Sequence, residues 1–147
     1  MSRRIGNRSD LDGVAAAGRA TLYPDPLKIL VGSASCGVAV GAREVETAAV
    51  GCVEQLGIEA TVARTGCIGL CGREPLLDLV LPRGPRLCYA DMTAEKTRDL
   101  LSSYASGGDL KVETALGRFA GEEHVSTGEV HPYPRRPELE DVPEWST

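Results

Sequence analysis

Two cysteines separated by three residues lie in a loop dense in glycine. Residues 65–75, here called the cysteine loop, read TGCIGLCGREP. Its cysteines are Cys67 and Cys71, and its glycines are Gly66, Gly69 and Gly72. Glycine lets a chain turn with positive φ and approach a bulky group closely, because no Cβ is in the way. Backbone N–H groups freed by such turns can point at anionic sulfur, so the loop indicates a thiolate-bound metal centre such as an iron–sulfur cluster.

The composition limits the classes of protein to which the chain can belong. Of its 147 residues, 42% are apolar and 25% are charged, which is ordinary for one globular domain. No apolar run approaches the roughly 20 residues of a membrane helix, and the amino terminus lacks the apolar block of a secretory signal. We therefore expect a cytoplasmic protein with no membrane span. Five cysteines in that compartment favour metal binding, redox chemistry or buried thiols over disulfides.

The charge is unevenly distributed along the chain. Residues 1–106 carry 12 acidic and 12 basic side chains, whereas residues 107–147 carry 9 and 4, which accounts for the net charge of −5. Neither part has the basic stripe that phosphate binding requires, so we expect no nucleic-acid partner.

The hydrophobic pattern predicts an α/β domain over residues 27–106. A short apolar strand is followed by a loop with Cys36, a helical pattern over residues 38–56 and a second strand over residues 58–65, which leads into the cysteine loop. Residues 76–81 and 86–90 then form a hairpin, and Thr93 caps a last helix. The order βαβ then ββα predicts a thioredoxin-like mixed sheet of about four strands with flanking helices.

Two segments flank this domain. Residues 1–26 read as a polar tail and a short packing helix that begins near Ser9 and covers one side of the domain. Residues 107–147, here called the C-terminal arm, contain few apolar side chains and the extended stretch HPYPRRP. We expect an acidic, proline-rich docking arm or linker, which buries too little apolar surface to become ordered without a partner.

The five cysteines have different predicted roles. Cys36 follows the first strand and the cysteine loop follows the second, so the thiols of Cys36, Cys67 and Cys71 should converge on one metal. Cys52 fits the core stripe of its helix, and Cys88 alternates with its neighbours in a strand, so both are predicted to be structural. A redox dithiol formed by the cysteine loop is an alternative, as is zinc bound with His124 or His131.

The chain resembles the thioredoxin-like 2Fe-2S ferredoxins, in particular the amino-terminal domain of the flavin subunit in NAD-linked hydrogenases, formate dehydrogenases and NADH-quinone oxidoreductase-type complexes. The resemblance covers about residues 26–104. It is carried by SCGVAVGA at residues 35–42, TGCIGLCG at residues 65–72, Pro75 and residues 89–97. The arm from residue 117 to residue 145 resembles the connector that leads into the FMN- and NADH-binding module.

The resemblance implies a 2Fe-2S cluster and a role in electron transfer within an NAD-linked oxidoreductase. The implied partners are an FMN/NADH-binding flavoprotein subunit and other iron–sulfur subunits. Cys36, Cys67 and Cys71 match three of the family's four ligands, with N–H groups around Gly66, Gly69 and Gly72 tuning the cluster. The family's first cysteine lies five residues before the second, and this chain has Val31 there.

The sequence does not identify the fourth ligand of the cluster. Ser33, Ser35, Cys88, a residue of a partner or solvent could fill it. The competing interpretation is a structural subunit that keeps the thioredoxin-like fold without a cluster and docks a flavoprotein.

Overall fold

The computed structural model describes residues 4–125 and 127–146. Its helices are α1 (Arg8–Leu22), α2 (Ser35–Ala39), α3 (Ala42–Leu56) and α4 (Ala94–Gly107). Its strands are β1 (Leu27–Gly32), β2 (Ala60–Thr65), β3 (Leu77–Val80), β4 (Arg86–Tyr89), β5 (Ala115–Phe119), β6 (Gly121–Glu123), β7 (Val130–Pro132) and β8 (Glu144–Trp145).

The main sheet has the strand order β2-β1-β3-β4-β5-β8. Strands β1 and β2 are parallel, and β3, β4 and β5 follow as antiparallel neighbours. The first four strands, with α3 and α4, form the predicted βαβ and ββα units, so the predicted thioredoxin-like α/β fold is confirmed. The estimate of about four strands is too low, because β5 and β8 from the C-terminal arm extend the sheet.

The main core lies between the sheet and the helices α3 and α4. All of β1 is buried, and alternate residues Leu27, Ile29 and Val31 belong to the core cluster. Helix α3 contributes small side chains, including Ala48 and Ala49, which allow close packing with α4. Burial on both faces is typical of an internal strand, and β1 lies between β2 and β3.

The predicted helix over residues 38–56 is divided into two helices. Gly41 has a φ of 109°, a conformation that favours glycine, and α3 begins immediately after it. The short helix α2 precedes this break, and Cys36 lies in its first turn. The break allows α2 to turn over the end of β1 while α3 runs back along the sheet.

The amino-terminal helix differs from its prediction. Asn7, rather than Ser9, caps α1: its side chain accepts the N–H of Asp10, and the Asp10 carboxylate accepts the N–H of Asn7. No residue of α1 is buried, and Leu11 and Val14 are about half exposed. The expectation that this helix covers one side of the domain is therefore wrong. Among the described residues, no helix is both long enough and apolar enough to cross a membrane.

The C-terminal arm folds onto the sheet. Leu139 and Val142 are buried in the main core cluster, and β8 pairs in parallel with β5. The Trp145 indole occupies the space next to Gly117, where a Cβ would collide with it. The premise that the arm buries too little apolar surface to become ordered alone is therefore wrong, because its few apolar residues are placed at core positions.

We expect Leu139→Ala to lower the free energy of unfolding by about 2 to 4 kcal/mol, because it removes a fully buried side chain and leaves a cavity. Urea denaturation followed by circular dichroism measures this change. The control is Val130→Ala in the same arm, whose side chain is exposed and whose substitution should change little. Equal stability of the Leu139→Ala variant and the unchanged protein would contradict the packing of the arm on the domain.

Candidate metal centre

Three cysteine thiols meet at one edge of the sheet. Cys36 lies four residues beyond the end of β1, and Cys67 lies two residues beyond the end of β2. Because these neighbouring strands are parallel, their carboxyl ends lie at the same edge. Cys71 begins a short 3₁₀ turn in the cysteine loop. The Sγ atoms of Cys36, Cys67 and Cys71 all lie within 4.8 Å of one another, as the sequence predicts.

The cysteine loop holds its two thiols on the same side. The Sγ atoms of Cys67 and Cys71 are 3.4 Å apart. Gly69 has a φ of 90°, and its N–H donates to the Cys67 sulfur at 3.3 Å. Gly69 thus has the predicted conformation and the predicted contact with sulfur. The expectation of positive φ is wrong for Gly66 and Gly72, and a Cβ at either position would meet open space.

Two glycines bring Cys36 close to the cysteine loop. Gly37, which follows Cys36 in α2, is buried against the carbonyl oxygen of Gly32 at the end of β1. A Cβ at Gly37 would collide with that oxygen, so only glycine allows this close backbone approach. The contact holds the first turn of α2 against the strand end, and the Cys36 thiol consequently lies beside the other two.

The thiols affect one another's ionisation. The pKa of Cys67 is lowered, first by the Gly69 N–H and then by hydrogen bonds from the thiols of Cys71 and Cys36. The pKa of Cys36 is raised to about 11, first by its hydrogen bond to Cys67 and then by burial. One thiolate is therefore favoured, whereas a second one beside it is disfavoured. Ionisation of all three requires a cation among them, and a bound metal supplies that charge.

The spacing of the thiols suits a tetrahedral metal. Two thiolates bound to one tetrahedral ion at about 2.3 Å lie roughly 3.8 Å apart, close to the 3.4 Å between the Cys67 and Cys71 sulfurs. Cys36 and Cys67 are partly exposed and Cys71 is exposed, so the site lies at the surface. These three residues could hold a metal ion or cluster.

The candidates for a fourth ligand differ in their surroundings. Val31, at the position where the resembling family has a cysteine, is fully buried in the main core. The Ser33 hydroxyl donates to the Val31 carbonyl at 3.2 Å, and the Ser35 side chain is exposed to solvent. Cys88 is fully buried in β4, where burial, and then the charge of Asp78, raises the pKa of its thiol.

The remaining sulfur and nitrogen groups also lie apart from the site. Cys52 is buried in the core face of α3, as predicted. The ring of His124 stacks on Tyr23 with centroids 4.2 Å apart and contacts the ring of His131. Among the described residues, neither histidine belongs to the group of potential metal ligands around the three cysteines. The structure therefore does not support the alternative zinc site with a histidine.

Sequence reasoning missed one polar residue at this site. Glu74 is only 7% exposed, and its Oε1 atom lies 3.9 Å from the Cys36 sulfur. The signal for it was present in the sequence, because Glu74 comes three residues after Cys71 and directly before the apolar stretch that forms β3. A carboxylate at the start of a buried strand requires an explanation.

Comparison with known structures supports the fold. A crystal structure of the wild-type thioredoxin-like 2Fe-2S ferredoxin from Aquifex aeolicus matches with a TM-score of 0.52 and 18% identity, over 63% of this chain and 98% of that chain. A second structure of a thioredoxin-like 2Fe-2S ferredoxin from Aquifex aeolicus gives a TM-score of 0.53 and 18% identity, over 64% and 93%. No protein-family model and no curated protein matches the sequence. At this identity the likeness establishes the thioredoxin-like fold.

We expect iodoacetamide to alkylate Cys67 faster than Cys36 in metal-free protein at about pH 7.5, because the thiolate is the nucleophile. A lowered pKa gives Cys67 more thiolate at this pH. The alkylation rate of Cys36 should instead keep rising as the pH approaches its pKa of about 11. Peptide mass spectrometry across a pH series measures both rates.

The Cys67→Ser variant should move the Cys36 profile to lower pH, because it removes the thiolate that stabilises the protonated Cys36 thiol. Cys52→Ser serves as the control, since Cys52 lies in the core and not among the three thiols. Reaction of Cys36 at lower pH than Cys67 would contradict this order of ionisation.

Proposed function

We propose that this protein carries a 2Fe-2S cluster held by Cys36, Cys67 and Cys71, and that it transfers single electrons. The convergence of three thiols within 4.8 Å at the edge where β1 and β2 end carries the proposal. The fold it shares with thioredoxin-like 2Fe-2S ferredoxins supports the type of cluster. The cluster would supply reversible one-electron chemistry, and the chain would supply its ligands and surroundings.

The residues of the cysteine loop would hold the cluster and adjust its potential. Cys67 and Cys71, with their sulfurs 3.4 Å apart, would bind the same iron, and Cys36 would bind the other. The Gly69 N–H, which already donates to the Cys67 sulfur, would stabilise the reduced cluster, since such donors offset added negative charge. These residues would bind the cluster and adjust its reduction potential, and the cluster itself would accept and release the electron.

The surface around the thiols suits contact with an electron-transfer partner. Ile68 and Leu70, which lie between the two cysteines of the loop, are 43% and 36% exposed. Val38 and Val40, which follow Cys36, are also exposed. Exposed apolar side chains next to a redox centre allow close approach of a partner and exclusion of water between the two centres.

We further propose that the partner is an FMN/NADH-binding flavoprotein subunit within an NAD-linked oxidoreductase of the cytoplasm, together with other iron–sulfur subunits. The resemblance of residues 117–145 to the connector of such flavin subunits supports this partner. Burial of Leu139 and Val142 would fix the arm to the domain and thus fix the direction in which the arm leaves it.

The second candidate function is a structural subunit without a cluster that docks a flavoprotein. The apolar side chains of α1 favour it, because Leu11, Val14 and Leu22 are each about half exposed and none is buried in the domain. The two functions differ in what they require of the thiols. A docking subunit needs none of them for assembly, whereas an electron carrier needs all three.

Anaerobic reconstitution with iron and sulfide should load about two iron and two sulfide per chain and give the visible absorption of a 2Fe-2S cluster, bleached by dithionite. Cys36→Ser, Cys67→Ser and Cys71→Ser should each reduce the loading or alter the spectrum, because each removes a ligand sulfur. Cys52→Ser is the matched control, since Cys52 is buried in the core face of α3. Protein that remains colourless and free of iron would refute the electron-carrier proposal and leave the docking subunit.

The double variant Ile68→Ser with Leu70→Ser should leave reduction by dithionite unchanged and slow reduction by NADH through the proposed flavoprotein partner. We expect a loss of about tenfold, which corresponds to about 1.4 kcal/mol of lost apolar contact. Stopped-flow absorbance measures the rate, and Val50→Ser, an exposed apolar residue of α3, is the control. An unchanged rate would exclude this surface as the docking site.

A further inference from the structure

The Glu74 carboxylate is buried directly behind the thiol of Cys36. It lies 7% exposed in a slot between Gly32, at the end of β1, and Gly37, in α2. A Cβ at Gly32 would contact this carboxylate at less than normal van der Waals distance, and one at Gly37 would crowd it. The two glycines therefore create the space that the carboxylate occupies, next to the proposed cluster ligands.

The two oxygens of this carboxylate have different surroundings. Oε2 accepts the N–H of Leu76 at 2.7 Å, which fixes the orientation of the group. Oε1 accepts a hydrogen bond from the Cys36 thiol, with 3.9 Å between the oxygen and the sulfur. One oxygen is thus anchored to the backbone, whereas the other contacts a proposed cluster ligand. This is the arrangement of a monodentate carboxylate ligand supported by a hydrogen bond.

The charge of Glu74 has no cation beside it in the part of the chain that the structure describes. None of the ion pairs among residues 4–125 and 127–146 involves Glu74. A buried carboxylate without a cation is costly, because burial removes the water that stabilises its charge. The Leu76 N–H and the Cys36 thiol are its hydrogen-bond donors, and a metal ion next to Cys36 would add a positive charge beside it.

We propose that Glu74 is the fourth ligand of the cluster, through Oε1 and on the same iron as Cys36. The inference rests on the proposed function, in which Cys36, Cys67 and Cys71 supply the other three ligands. A ligand sulfur and a ligand oxygen on one tetrahedral iron lie roughly 3.5 Å apart, close to the 3.9 Å between Cys36 Sγ and Glu74 Oε1. Val31 is fully buried in the core, so a side chain at residue 31 is not placed to bind this iron.

This ligand set has a chemical consequence. A carboxylate carries the same single negative charge as a thiolate, so three thiolates and Glu74 give the cluster the same total charge as four thiolates. Oxygen is nevertheless a harder and weaker electron donor to iron than sulfur. The reduction potential should therefore be higher than that of the same site with a fourth cysteine, and the Glu74→Cys variant measures this difference directly.

The experiment compares reconstituted unchanged protein with Glu74→Cys and Glu74→Gln. Iron-edge X-ray absorption should detect an oxygen neighbour in the unchanged protein and sulfur only in Glu74→Cys, whose potential should shift to a more negative value. Glu74→Gln should lose its cluster to a chelator about tenfold faster or more, as is typical when a ligand or its support is removed. Circular dichroism and urea unfolding of the metal-free variants show whether each one folds.

Two controls test the competing fourth ligands. Val31→Cys restores the cysteine at the family's position and should leave the iron spectrum and potential unchanged, because residue 31 points into the core. Ser33→Ala should also have no effect, since its hydroxyl bonds to the Val31 carbonyl. An altered iron spectrum in Ser33→Ala would overturn the assignment of Glu74.

Different results would refute the role of Glu74 and the electron-carrier function. If the unchanged protein takes up no iron and sulfide, the electron-carrier function is wrong, and Glu74 has no cluster to bind. If it takes up both, but Glu74→Cys and Glu74→Gln fold and match it in iron spectrum, potential and chelator resistance, only the role of Glu74 is refuted. Retention of the oxygen signal in Glu74→Cys would assign that oxygen to water.

Discussion

The site depends on a close contact between two pieces of backbone, in which Gly37 of α2 lies against the carbonyl oxygen of Gly32 at the end of β1. No other residue allows this approach, since any Cβ at position 37 would collide with the oxygen. The contact turns the first residues of α2 over the end of the strand and brings Cys36 to the cysteine loop. It also forms one wall of the slot for Glu74, so the same pair of glycines positions a thiol and a carboxylate.

The chemistry of the site follows from the small separation of its acidic groups. Three thiolates within 4.8 Å of one another repel, and a cation among them would reduce this repulsion. The protein's own donors stabilise one thiolate, that of Cys67, through the Gly69 N–H. A bound metal would supply the positive charge that allows the other thiols to ionise as well.

A few apolar residues determine how the largely polar C-terminal arm packs on the domain. Most of its side chains are charged or polar, yet Leu139 and Val142 are buried in the core, and Trp145 packs against Gly117. Burial of a handful of side chains, together with pairing of β5 and β8 to the sheet, gives the arm a fixed path over the domain. No residue of α1 is buried, and its apolar face is exposed.

The sequence by itself determined the cysteine loop, the βαβ and ββα order and the cap of α4 by Thr93, because spacing, periodicity and capping are local properties of the chain. It also predicted that Cys36 would join Cys67 and Cys71, since parallel strands end at a common edge. Only the tertiary structure decided that Val31 is buried in the core, that Glu74 lies behind Cys36, that α1 is exposed and that the arm adds strands to the sheet. Those outcomes depend on packing between residues far apart in the chain, and no local pattern encodes which distant surfaces will meet.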